Sequence, residues 1–207
     1  MMVSPMQKIS LRVRGLLNDR SGLAAVEFAM IFPIMVVLYF GVVEFSSAIA
    51  VDRKATQVAR TLSDLTSQSM TVADTDIKNF GEAAKAIMTP YPPSPLVSSI
   101  TEVYIDKVSG VARVQWSKGL TIGPTGDVSI AAAAPHNPGD VVTLPLALVA
   151  AKGTFVIWSE VSYQYTPAIG IVLTSLPPFR DVAYTRPRLV LCVTYPTAGL
   201  SDCAAPK

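Results

Sequence analysis

The chain has 207 residues, room for one domain and an anchor or for two small domains. Half of the residues are hydrophobic and the mean hydropathy is +0.42, while the formal net charge is +2. Residues 1–22 hold Lys8, Arg12, Arg14 and Arg20 against Asp19; taking these four and one from 17 basic and 15 acidic residues leaves 13 and 14, a slightly acidic remainder that argues against nucleic acid as a partner.

In chain order, residues 1–22 read as a basic leader, mostly polar, with Leu11, Val13, Leu16 and Leu17 between the charges. Positive residues beside an apolar span stay on the cytoplasmic side. The leader is therefore expected to face the cytoplasm and everything after Val51 to lie outside it.

Residues 23–50 read as a transmembrane helix, since the run is longer than the roughly 20 residues that cross a bilayer and carries no charge from Phe28 to Val43. No second stretch approaches that length. Only Glu27 and Glu44 interrupt the run. Glu44 lies near its far end, where a carboxylate reaches the interface. Glu27 sits just inside the start, in a medium where mid-depth carboxylates cost about 2.5–3.5 kcal/mol; it either rests in the headgroups or has a function. Pro33 removes one helical hydrogen bond and predicts a kink or loosened turn. A second reading of the same stretch takes Ala48-Ile49-Ala50 as a signal-peptidase site that releases a soluble chain starting at Val51.

Residues 51–207 are expected to form a periplasmic α+β domain that includes an extension of the helix. Val51, Ala55, Val58, Leu62 and Leu65 recur every three or four residues, a stripe suited to a coiled-coil seam or to docking on the chain's own sheet. One further helix is expected from Thr75 or Asp76 to Met88, capped by Asp74 or Thr75 and ended by Pro90, Pro92, Pro93 and Pro95. Strand signals follow at Ile100–Ile105 and Val111–Trp116 around a Ser109-Gly110 turn, at Thr154–Tyr165, and at Arg188–Thr194. Val141–Ala151 suits a buried core segment, and the excursion from Gly119 to Asp140 has one regular candidate, near Val128–Ala132. Without helices between them, the strands should pair antiparallel.

The order of features at the start of the span carries a resemblance. Gly22, Leu23, Ala24, Ala25, Val26, Glu27 and Phe28 follow a basic leader and open a long apolar helix. This resembles the Gly-x-x-x-x-Glu-Phe processing site of type IV prepilin-like proteins. The longer run GLAAVEFAMIFPIMVVLYFGVVEF is similar to the TadE-like pilus assembly proteins, pseudopilins of the Tad (Flp) pilus system, and a looser similarity touches YQYTP and TRPRLVLCV. The resemblance implies a minor pseudopilin or assembly component, single-pass in the inner membrane. It implies cleavage by a prepilin peptidase between Gly22 and Leu23, and association with other pilin-like subunits through Glu27 and Phe28. A new α-ammonium at Leu23 would stand one helical turn from Glu27 and could neutralise it.

Cys192 and Cys203 fall in the part expected to be exported, where disulfides persist, and a bridge between them would close a short loop worth about 3 kcal/mol. The alternative is two unpaired thiols. Enzyme chemistry has little to stand on. The single histidine, His136, sits in AAPHNPGD and reads as a surface residue; no GxSxG, HExxH or SxxK accompanies it. Gly119, Gly123 and Gly126 lack the Lys and Ser/Thr of a phosphate loop. Arg186 and Arg188 around Pro187 read as exposed charge on a turn. No cofactor or metal is expected, and a membrane-anchored hydrolase is the rarer alternative.

Overall fold

The apolar run and the amphipathic run after it form one helix, α1 (Ser21–Ser67, 47 residues), about 70 Å long at 1.5 Å per residue. It is seen in a computed structural model that describes residues 21–131, 134–167, 169–170, 172, 174, 176–196 and 203. Of the leader expected over residues 1–22, residues 1–20 lie outside the described residues. Helical backbone runs through Pro33 without a break, and continues across Ala50 and Val51.

Two environments divide α1. Toward its start Leu23, Phe28, Met30, Ile34, Leu38 and Val42 are all more than half exposed. From Glu44 onward one face closes: Glu44, Ala48, Val51, Ala55, Val58, Ala59, Leu62 and Thr66 are buried, at the three- and four-residue spacing of a stripe that faces one partner. That partner is the chain's own sheet, which decides between the two readings of the stripe. Ser159 Oγ donates to the Ala59 carbonyl at 2.5 Å, the Ser63 and Thr185 hydroxyls stand 2.7 Å apart, and Thr56 donates to Asp181.

The sheet is antiparallel throughout. Its strands are β1 (Leu96–Ile105), β2 (Ala112–Ile122), β3 (Val128–Ile130), β4 (Val141–Val142), β5 (Thr154–Tyr163) and β6 (Phe179–Thr185), in the order β3-β2-β1-β5-β6, with β4 also on β2. A bulge interrupts the hairpin: Glu102 faces Trp116 while Val103 faces Val114, which leaves Gln115 as the extra residue. Helix α2 (Asp74–Met88) joins α1 on one face of the sheet. Ile77, Ala84 and Met88 from α2 meet Ile100, Trp116, Leu120, Ile157 and Tyr163 in the main core. The other face carries a smaller core of Val103, Ile105, Ala112, Leu144 and Val156, with Leu148 and Val149 of the single-turn helix α3 (Leu146–Val149) against it.

The α+β class and the antiparallel sheet hold; several local expectations are corrected. There are two further helices rather than one. The first begins at Asp74, with Ala73 in the capping position. Alanine offers no side-chain acceptor, and Asp76 instead reaches back to accept the Ala73 N–H at 2.9 Å. β1 starts at Leu96, β2 continues through Gly119 to Ile122, and β5 stops at Tyr163. Within Val141–Ala151 Leu144 alone is buried, and Leu146 is 88 % exposed.

The largest correction concerns the last strand. Arg188–Thr194 is not one; the strand is β6, earlier in the chain. Its expected place is taken by a strap that crosses the α1–α2 turn. Val72 N donates to the Thr194 carbonyl at 3.0 Å and Thr194 N to the Met70 carbonyl at 3.3 Å, and Thr71 and Thr194 make an isolated parallel bridge.

Candidate anchor and assembly site

Gly22, Leu23, Glu27 and Phe28 lie on the first two turns of the described helix. A Cβ added at Gly22 would meet no atom of the described residues within 4 Å. Among the described residues, packing therefore does not call for glycine at position 22. Leu23 and Phe28 are each 60 % exposed. The Phe28 ring lies beside that of Phe32, one turn on, at 5.5 Å between centroids. Glu27 is exposed, with no hydrogen bond or ion pair among the described residues.

Glu44 is the opposite case. It is 2 % exposed, and its Oε2 accepts the Val172 N–H at 3.2 Å. The expectation that this carboxylate simply reaches the interface missed its cover. The segment before β6 comes down the side of α1, and at Gly41 the Val172 side chain lies 3.5 Å from where a Cβ would stand. Above it, Leu176 and Phe179 lie against Phe45, Ala48 and Ile49.

At the far end of the head a second buried carboxylate holds the C-terminal strap. Glu102, 1 % exposed, accepts the Val193 N–H on Oε1 at 2.6 Å and the Trp116 indole N–H on Oε2 at 3.0 Å; the same indole N–H is 2.8 Å from the Val193 carbonyl. Burial pushes the Glu102 carboxyl up to about 8, against the smaller opposing pull of the two N–H donors. Next to this latch, Cys192 and Cys203 are joined by a disulfide with a Cα–Cα distance of 5.7 Å. Sequence reasoning did not single out Glu102. Both faces of β1 are buried, so the alternation of Glu102 with Thr101 and Val103 gave no sign that a carboxylate enters the core.

His136 is half-buried rather than free on the surface. Its ring stacks on Trp158 at 4.9 Å, and Nε2 is 3.2 Å from Glu160 Oε2. Ser99 Oγ donates to that same oxygen at 3.3 Å. The order is wrong for a nucleophilic triad, in which the imidazole must stand between hydroxyl and carboxylate; here the carboxylate stands between the other two. Arg188 pairs with Asp64 on α1, and Arg186 is exposed. Among the described residues no three His, Cys, Asp or Glu side chains are grouped to hold a metal ion.

The chain is of an α+β class in which a long, bare apolar helix turns into the spine of the head; α1 is the one described helix with the length and composition to cross a membrane, compatible with a single-pass anchor. The family model described as TadE-like protein matches residues 22–63. The match starts at Gly22, covers the bare half of α1 and ends where α1 lies on the sheet. It makes this segment TadE-like and the chain consistent with a TadE-like pilus assembly protein, a structural rather than an enzymatic family. No curated protein and no solved structure matches the chain.

Proposed function

We propose that this chain is a minor pseudopilin or assembly subunit of a Tad-type pilus. It sits in the inner membrane by residues 23–50, leader inside and residues 51–207 outside, and a prepilin peptidase cuts it after Gly22. The observation that carries this is the start of the TadE-like match at a glycine for which the fold has no use. The packing of the described residues leaves position 22 open to other side chains, so a glycine there is compatible with a requirement set by a processing enzyme. The size of the head favours an assembly or minor role over that of a filament's main subunit, because a bulky head limits how densely subunits stack.

Release by signal peptidase after Ala50 fits the packing poorly. It would strip away Glu44 and Ala48, both buried against the head, and leave Val172 and Leu176 without the helix they lie on. Sequencing the N-terminus of the mature protein tests the proposal directly. A Leu23 start is expected, and Gly22→Ala should retain the leader as a slower band on a gel. A Val51 start, or unchanged cleavage of Gly22→Ala and of bulkier substitutions, would overturn it.

A further inference from the structure

The loop between β5 and β6 has the wrong chemistry for a water-exposed connection. Residues 166–179 carry no charged side chain, and Ile169 and Val172 are 46 % and 45 % exposed. The position of these residues along α1 gives that composition a meaning. β6 ascends beside α1, with Asp181 at Thr56 and Thr185 at Ser63. The chain before it therefore descends: Leu176 lies at Phe45 and Ala48, and Val172 reaches Glu44 and Gly41.

A span of roughly 20 residues that starts between Leu23 and Phe28 ends between Val42 and Ser47. Glu44 falls inside that bracket. The first charges on α1 beyond it are Asp52, Arg53 and Lys54, about 12 Å farther along the axis at 1.5 Å per residue. Val172 thus stands well below the first charged turn of the helix, level with the outer edge of the hydrocarbon.

On the reading of α1 as a membrane anchor, we infer that the β5–β6 loop is a second membrane contact, which places Ile169 and Val172 in the outer-leaflet interface beside α1. The occupant of this surface is lipid. The argument is continuity: the exposed apolar surface of Ile169 and Val172 adjoins the exposed apolar surface of the helix, and Glu44 at the junction is buried. The same contact explains how a carboxylate is accommodated at this depth, since Glu44 is covered by the loop and takes a backbone N–H from it rather than facing acyl chains. The head would then be held to the bilayer at two points, and its tilt fixed.

The test uses the full chain in vesicles of phosphatidylethanolamine and phosphatidylglycerol, with a fraction of phosphatidylcholine spin-labelled near the glycerol end of an acyl chain. Ile169→Cys, Val172→Cys, Phe45→Cys and Val108→Cys are each labelled with an environment-sensitive fluorophore without reductant, so that the native disulfide stays closed. Quenching at 169 and 172 comparable to that at 45, with none at 108 on the far hairpin, is the expected result. Quenching at 45 but not at 169 or 172 leaves the anchor standing and overturns the loop contact; no quenching at 45 removes the anchor and the inference with it. Because a label could disturb the loop, the unsubstituted protein is also cross-linked with a photoactivatable phosphatidylcholine. Lipid adducts should map to the loop as well as to α1, and adducts on α1 alone would contradict the proposal.

Discussion

Glu102 is buried and Glu27 exposed, and the two carboxylates answer to different tests. For Glu102 the partner groups are internal, so the effect is on folding. Its folded value, about 8, lies above the ordinary 4.5. A raised acid contributes its full stability below the unfolded value and loses it as pH climbs toward the folded one. Wild-type protein should therefore lose stability from about pH 4.5 to about pH 8, by a few kcal/mol at about 1.4 kcal/mol per pH unit, read as a falling melting temperature. Glu102→Gln removes the ionisation, and its melting temperature should be flatter across that window. It should also carry a pH-independent loss, because one acceptor oxygen becomes an NH2 group facing an N–H donor. Parallel pH profiles for the two proteins would show that the buried acid does not control the slope.

Glu27 has no partner among the described residues, so its effect belongs to assembly. Removing a charge from the span lowers the cost of insertion. Glu27→Leu should thus insert and be cleaved like the wild type, yet recover fewer partner subunits on co-purification at equal expression. A carboxylate in low dielectric attracts a partner's ammonium strongly, although desolvation offsets much of the gain. Equal recovery and equal filament output would leave Glu27 a tolerated interfacial charge.

Among the elements, α2 shows where packing overrides helix propensity. A Cβ at Gly81 would stand 2.4 Å from Val128 Cγ1 on β3, although alanine is the better helix former by about 1 kcal/mol. Overpacking costs typically 1–3 kcal/mol, and the β-branched valine has few rotamers with which to yield. Gly81→Ala should therefore lower the midpoint of thermal unfolding, and a raised midpoint would mean that β3 moves aside freely.

The elements also show what was legible beforehand. β5 was readable because Phe155, Ile157, Val161 and Tyr163 fall on one face with half-exposed Trp158, Glu160 and Ser162 on the other, although Val156 on that second face is buried as well. β6 was not, because FRDVAYT carries Arg180 and Asp181 and follows two prolines; its identity comes from pairing with β5. RLVLCV has the composition of a strand and lacks that pairing, so Leu189 and Leu191 stay 61 % and 68 % exposed while Val193 is buried under the Trp116 indole. At the proposed processing site, Gly22 and Glu27 stand out in the sequence by order and spacing. The Glu44 and Glu102 contacts join residues 128 and 91 positions apart, and no local pattern encodes them.

For the whole molecule, orientation is the property on which the proposed function turns. A reporter fused after Val51 should be active only outside the cytoplasm, as the leader's positive charge requires; cytoplasmic activity would reverse the topology and remove the peptidase's access to Gly22.

The unbroken passage of α1 from bare to buried surface has a mechanical side. No linker separates the bare segment of α1 from the spine of the sheet; the last free turn and the first docked turn share the same backbone hydrogen bonds. If α1 is the anchor proposed above, a rise of the helix by one residue along its axis would raise the docked head by about 1.5 Å with it. Movement at one end of such a subunit would then become displacement at the other.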